Sequence, residues 1–224
     1  SLANFEFILP AIDDQPSCID ALKTVAVLLN SAQHLAEEIR QLTKATITDF
    51  FGREDIAWTW EEIGKAGDVQ LGQQKHPKYE AGLAPKPYLR VVNIGDGELV
   101  LNDVKVMDFV GRDYTKHRLQ HGDVLVTEGD LVSPFNVGRA AIFRGEIDQC
   151  CAQKSLIRFR PGSGLDSEYV LAAFRFLRYA GHFARAASTT TVSHLVANKF
   201  ERVLMPIAPS EERLEIVRLI SQID

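Results

Sequence analysis

From Ser17 to Phe50 the chain has no glycine and no internal proline, and its apolar residues recur at helical spacing. That stretch predicts one continuous helix. Asp13, Asp14, Pro16 and Ser17 supply its start, with side chains that accept from free N–H groups and a proline where no donor is needed; Gly52 supplies its stop. Leu22, Leu29 and Ala36 lie seven apart, Val25, Ala32, Ile39 and Thr46 interleave with them, and Leu28, Leu35 and Leu42 widen the stripe. A helix of roughly 30 residues spans about 45 Å, longer than a small domain is wide. The seam of Leu22, Val25, Leu29, Ala36, Ile39 and Leu42 is therefore read as facing a partner helix in a coiled coil, with packing along the chain's own domain as the alternative.

Charge is unevenly distributed. The net charge of -5 argues against a nucleic-acid partner, since such proteins usually carry a basic footprint. Residues 1–62, however, hold 4 Lys/Arg against 11 Asp/Glu, net -7, while residues 139–185 hold 8 against 4, net +4, and residues 75–118 hold 8 against 6, net +2. An acidic segment followed by a mildly basic domain fits a protein in which one face alone meets phosphate. Adjacent Cys150 and Cys151 and solitary Cys18 form neither a disulfide framework nor a zinc spacing, and are expected as reduced thiols. No apolar run approaches the roughly 20 residues of a membrane helix, and no secretory signal is visible, so the cytoplasm is the expected location.

Beyond Trp58 short β-rich runs alternate with glycine and proline: Tyr88 to Ile94, Leu99 to Met107, Asp123 to Glu128, Arg139 to Phe143 and Ser155 to Arg160. Half-buried strands are expected, as where Leu156, Arg158 and Arg160 alternate with Ile157 and Phe159. A helix should begin near Asp166 or Ser167, bury Tyr169, Val170, Ala173, Phe174 and Leu177, and fray near Gly181. A short helical stretch around His194 to Asn198 follows, and Ser210, Glu211 and Glu212 open another helix. The ends of the chain repeat one pattern: residues 4–10 and residues 199–206 both run from Phe through apolar residues and Pro into a helix.

This order of motifs resembles the specificity (S, HsdS) subunits of Type I restriction-modification enzymes, over essentially the whole chain. Trp60 to Lys65 are similar to the "WE...LG" opening of a recognition domain, and Gly72 to Lys78 to its glycine-led loop. Pro87 to Ile94 resemble the "PYLR..NI" strand, and Gly97 to Met107 the "G.L.L..VK.M" run. Gly122 to Asp130 and Gly138 to Phe143 resemble the next two strands, and Met205 onward the proline-rich passage into a helix, with Glu212 or a neighbour where a glutamine is usual. The resemblance implies an α/β (α+β) architecture: a long coiled-coil-type helix with the tail of a preceding unit (1–52), a mixed-sheet DNA target-recognition domain with flanking helices (53–208) and the start of a second such helix (209–224). It implies double-stranded DNA, a modification (methyltransferase) subunit and a restriction (translocase/nuclease) subunit as partners. A full specificity subunit has two recognition domains and two long helices. This chain has one of the former, so the helix lacks its mate, which a second copy, a second half subunit or sequence beyond this chain would supply.

Residue chemistry then picks candidate DNA contacts. Gln74, Lys75, His76 and Lys78 offer donors and acceptors for base edges; Glu128 and Asp130 could accept from cytosine amino groups; Arg90, Arg139, Gln153 and Lys154 could face phosphate or guanine. Thr189, Thr190, Thr191, Ser193 and His194 cluster hydroxyls ahead of an expected helix start. Each has an ordinary reading as a solvated turn, a surface pair or a helix cap.

Nothing in the chain suggests catalysis. It has no phosphate-binding loop with lysine, no glycine fingerprint for a methyl donor, and no Asn/Asp-Pro-Pro-Tyr/Phe run. Asp123, Glu128 and Lys154 lack a compact spacing for Mg²⁺. His34, His117, His121 and His182 are scattered. The expectation is a non-enzymatic DNA reader without cofactor or metal. A coiled-coil scaffold or decoy that binds the modification subunit without DNA affinity is the alternative.

Overall fold

The computed structural model describes residues 11, 14–79, 82–129, 137–189 and 193–223. The chain divides into two compact units, Ser1–Thr43 and Lys44–Asp224. Helix α1 runs from Gln15 to Phe51, as its uninterrupted helical spacing requires. In the first unit Leu22, Val25, Leu29 and Leu42 are all more than half exposed, while Ala36 and Ile39 are partly covered.

The second unit is a mixed α/β domain. In chain order it contains β1 (Thr59–Glu62), α2 (Ile63–Ala66), β2 (Gly67–Leu71), β3 (Pro85–Leu89), β4 (Lys105–Asp108), α3 (Arg112–His117), β5 (Asp123–Thr127), β6 (Ala140–Phe143), β7 (Cys151–Ala152) and β8 (Leu156–Pro161). Helices α4 (Ser167–Tyr179) and α5 (His182–Ala186), the ribbon strands β9 (Ser188–Thr189) and β10 (Ser193–His194), α6 (Ala197–Phe200), β11 (Leu204–Ile207) and α7 (Ser210–Ser221) complete it. An antiparallel sheet of order β2-β8-β5-β6 lies beside a second sheet of order β4-β3-β7, in which β3 and β7 are parallel. β1 pairs with β11, so Trp60 sits opposite Pro206 and the opening and closing segments of the domain meet.

The larger sheet is buried on both faces rather than half-buried. Val124, Val126, Ile142, Ile157 and Phe159 point to a core built with α4 and with Ile47, Phe50 and Phe51 from the last turns of α1. Those α1 residues explain why the second unit begins at Lys44, ahead of Gly52. Leu125, Ala141, Phe143 and Leu156, one residue out of phase, join Leu89, Ile94 and Leu119 in another core on the opposite face. Phe174 of α4 meets Phe159 and Phe200 edge-on at 5.2 and 5.3 Å between ring centroids. Asp166 caps α4 by accepting from the Glu168 amide at 2.8 Å, and Gly181 ends the turn after it with a φ of 75°.

Two expected strands are shorter than their apolar patterns. The run from Tyr88 leaves its strand at Leu89, and Val91–Asn93 form a 3-10 turn. Buried Asn93 is the cause: its Oδ1 accepts from the Arg90 amide at 3.0 Å, and its Nδ2 donates to the Val100 and Asp103 carbonyls at 2.8 and 3.2 Å. A side-chain amide that captures backbone groups on both segments replaces the ladder there, leaving a lone Ile94–Leu99 bridge, and of Leu99 to Met107 the part that forms a strand is Lys105–Met107. The helix expected around His194 starts instead at Ala197, and His194 lies in β10. Residues 4–10 of the end-to-end pattern fall outside the described residues; at the other end, Lys199 and Phe200 close α6 and Leu204–Pro206 form most of β11.

Tyr169 ties α4 to β11. Its fully buried hydroxyl donates to the Pro206 carbonyl at 2.8 Å and accepts from the Ala208 amide at 2.9 Å. Tyr169→Phe keeps the ring and strands both backbone groups, so urea denaturation should show a loss of about 2 kcal/mol with an unchanged m-value.

Candidate nucleic-acid interface

Gly72, at the end of β2, lets two backbones run side by side. A Cβ on it would lie 2.3 Å from the Gln153 carbonyl oxygen, so no other residue fits without displacing that segment. The segments are stitched by the Gln73 amide donating to the Ala152 carbonyl and the Lys154 amide donating to the Gln73 carbonyl, both at 2.9 Å. Gln73 is buried and its Nε2 donates to the Asp108 carbonyl at 3.2 Å. The next residue, Gln74, is thereby aimed outward beside Lys154, whose Nζ donates to Gln74 Oε1 at 3.4 Å.

The other wall comes from the end of β5. The Glu128 amide donates to the Ser155 carbonyl at 3.0 Å, the Leu195 amide donates to the Glu128 carbonyl at 2.7 Å, and Gly129 bridges to His194. Gln153 holds the floor. Its amide donates to the Leu89 carbonyl, and its Oε1 accepts from the Ser155 hydroxyl at 2.6 Å and the Ser155 amide at 3.1 Å. The Ser155 hydroxyl in turn accepts from the Val91 amide at 3.0 Å. An open cleft of about 590 Å³ results, lined by Gln74, Lys75, Glu128, Gln153, Lys154, Ser155, His194 and Val196.

Six of the residues singled out from sequence thus converge from four segments spread over some 120 positions: Gln74, Lys75, Glu128, Gln153, Lys154 and His194. Ser155 and Val196 were not foreseen. The glycine before Gln73 was the one local hint that a neighbouring chain passes close. Amide, ammonium, carboxylate and imidazole on one open concave surface are the groups that read base edges in a groove.

Three further candidates, His76, Arg90 and Arg139, are not among the residues that line the cleft. His76 is exposed and beyond the cleft, its ring 6.4 Å from that of Tyr79. Arg90 is paired with Asp103. The Arg139 Nη2 donates to the Val91 carbonyl at 3.4 Å and its amide donates to Thr127 Oγ1 at 3.0 Å. Asp130, Thr190 and Thr191 lie outside the described residues, as do the side chains of Lys78, Thr189 and Ser193. The backbones of Ser188–Thr189 and Ser193–His194 pair in an antiparallel ribbon, so those positions are strand and not a helix start. β-branched residues favour that extended form.

Burial pushes the Glu128 carboxyl above its ordinary value, and the charges of His194 and Lys154 oppose the shift in part. Cys150 and Cys151 are buried thiols pushed up to about 12, far from a reactive thiolate. Among the described residues no group of three His, Cys, Asp or Glu is placed to hold a metal ion, and no helix is long and apolar enough to cross a membrane.

No family model matches the chain, and no curated protein matches it in sequence. Solved structures do match. The fold is that of the HsdS subunits of Type I restriction-modification systems. One match is a chain from a structure on complex assembly and conformational transition of the type I R-M system, with a TM-score of 0.61 and 19% identity, covering 96% of this chain and 52% of that one. The HsdS subunit from Thermoanaerobacter tengcongensis aligns with a TM-score of 0.58 and 19% identity, covering 96% of this chain and 51% of that one. The chain spans about half the length of these structures.

The raised Glu128 titration gives a signed prediction. In the folded state this carboxyl holds its proton to higher pH than in the unfolded chain, so between the ordinary carboxyl range and the raised value stability falls as pH rises. Above that window the cost is constant, and it is relieved as pH falls. Urea midpoints measured across this range should show a Glu128→Gln variant with a flatter pH dependence and stability at neutral pH no lower than that of the parent.

Proposed function

We propose that this chain is a DNA target-recognition unit of a Type I restriction-modification specificity subunit, reading one half of a bipartite site without performing chemistry on it. The observation that carries the reading is the cleft itself, where Gln74, Lys75, Glu128, Gln153, Lys154 and His194 gather on a domain with the HsdS fold. Gln74 and Gln153 suit the N6/N7 edge of adenine, Lys75 and Lys154 suit guanine or phosphate, and Glu128 can accept from a cytosine amino group. Phosphate held by the cations fixes register, and the uncharged amides confer selectivity. The modification and restriction subunits would supply methylation, translocation and cleavage, with this chain fixing where they act.

The long helix has a matching role. Its exposed leucine and valine seam, Leu22, Val25, Leu29 and Leu42, suits a second helix from another copy, another half subunit or more of the same protein. A rigid coiled coil converts helix length into spacer length between half-sites. Adding or removing one helical turn between Ser17 and Thr43 should change the spacer tolerated in a bipartite site and leave each half-site sequence intact. Unaltered spacing would refute this role.

The same exposed seam favours a second reading, a helix-docking scaffold or decoy that binds the modification subunit without DNA affinity. Selection from random-sequence duplexes by the chain with its modification subunit, read by sequencing, separates the two. A short enriched motif, lost or altered on Gln74→Ala, supports recognition; an intact complex that enriches nothing supports the scaffold.

A further inference from the structure

A second cationic site lies outside the cleft, around Tyr114 on α3. The Lys86 ammonium is held over the Tyr114 ring at 5.3 Å from its centroid, and the Arg118 guanidinium at 5.6 Å. Neither cation has an acidic partner within ion-pair distance among the described residues, and neither do exposed Arg112 and Lys116 on the same helix. This sets them apart from Arg90, Arg144 and Arg158, which all face carboxylates.

The site is held in shape. Lys86 Nζ donates to the side-chain carbonyl of Gln149, whose Nε2 donates to Asp148 Oδ2 at 3.2 Å. Gln149 has a φ of 54°, in the left-handed region where a glycine would be unstrained. A side chain retained at that position, and used to fix a lysine, marks a place where orientation outweighs backbone ease.

It is also continuous with the cleft. The loop that delivers Gln74 and Lys75 to the cleft ends on α3, where the Tyr79 hydroxyl donates to Asp113 at 3.4 Å, next to Tyr114. At the loop's other end Gln73 bonds to Asp108 of β4, the residue paired with Pro85 beside Lys86. Along β3, Lys86 stands three residues before Leu89, whose carbonyl accepts from the cleft residue Gln153. Three residues of strand are roughly 10 Å, about three base pairs of rise along one DNA strand.

We propose that Lys86 and Arg118, positioned on Tyr114, bind the sugar-phosphate backbone of the same duplex whose bases the cleft reads, about three base pairs away. The proposal rests on the DNA-recognition reading. Uncompensated cations on an aromatic platform give sequence-independent affinity and register, the complement of the amide-rich cleft. They also offset the repulsion that a protein of net charge -5 would otherwise present to DNA.

The test is a salt titration of two short labelled duplexes of unrelated sequence, using the complex of the chain with its modification subunit. Comparing the parent with Lys86→Ala/Arg118→Ala, the slope of log affinity against log salt should become shallower by about 1.8, the loss of two phosphate contacts, so that a fourfold rise in salt weakens the parent about twelvefold more than the variant. The deficit should be the same on both duplexes, the motif enriched in selection should be unchanged, and Lys86→Arg/Arg118→Lys should restore the slope. A salt-dependent parent with an unchanged slope in the alanine variant overturns this inference and leaves the cleft reading standing. A parent that binds neither duplex overturns both. Thermal melting of each variant identifies misfolding, in which case the charge-conserving pair alone decides: a slope that departs from the parent's overturns the assignment.

Discussion

Asp123 is fully buried at the start of β5, and the domain is arranged around keeping its charge paired. Arg160, one step past the Val124–Phe159 pair that ends the β5–β8 ladder, grips it in two parallel hydrogen bonds, Nε to Oδ1 at 2.7 Å and Nη2 to Oδ2 at 2.9 Å. The Gln120 amide donates to the same carboxylate at 2.7 Å, and Arg158 approaches within 3.9 Å while bonding to Asp68 on β2 at 2.5 Å. A one-residue slip of β5 against β8 would send Asp123 into the aromatic core beneath Phe159 without a partner, a cost of several kcal/mol. The pair therefore acts as a register lock more than as a source of stability. What it locks is the relative height of Glu128, one residue beyond Thr127, the last β5 residue paired with β8, and of Gln153 to Ser155, just before β8. The walls of the cleft are consequences of that register.

The same register reconciles an acidic chain with the proposed nucleic-acid partner. Several of the domain's arginines are spent internally: Arg158 and Arg160 on the lock, Arg175 and Arg178 on Asp96, Arg144 on Glu168. Lysines and amides are what remain at the cleft, with Lys86 and Arg118 beyond it. Counting charge along the chain overstates the basic face because it cannot tell a cation facing solvent from one closing an ion pair. Among the arginines favoured as contacts, Arg90 and Arg139 are held by Asp103 and by the Val91 carbonyl.

Much of the architecture was legible in local pattern. The span of α1, the cap at Asp166, the break at Gly181 and the strands at Asp123, Ala140 and Leu156 follow from periodicity and backbone preference, which act over a few residues. Misreadings arose where a single distant contact overruled the pattern. Asn93 captures two carbonyls from the following segment and dissolves the ladder that Val91 and Val92 would otherwise extend. Arg158 looked solvent-facing because alternation assumes one wet face, whereas both faces of the sheet are covered.

By itself the sequence determined the elements, their order and the chemical kinds of side chain available for recognition, because helical and strand periods and cap chemistry are properties of neighbouring residues. It also held the motif order that agrees with the fold of the HsdS structures. Only the tertiary structure decided which of the fifteen candidate contact residues meet. Gln74, Glu128, Lys154 and His194 are brought together by the Gly72 to Gln153 approach and the Asp123 to Arg160 register. Both are contacts between segments far apart in sequence, whose pairing no local preference encodes.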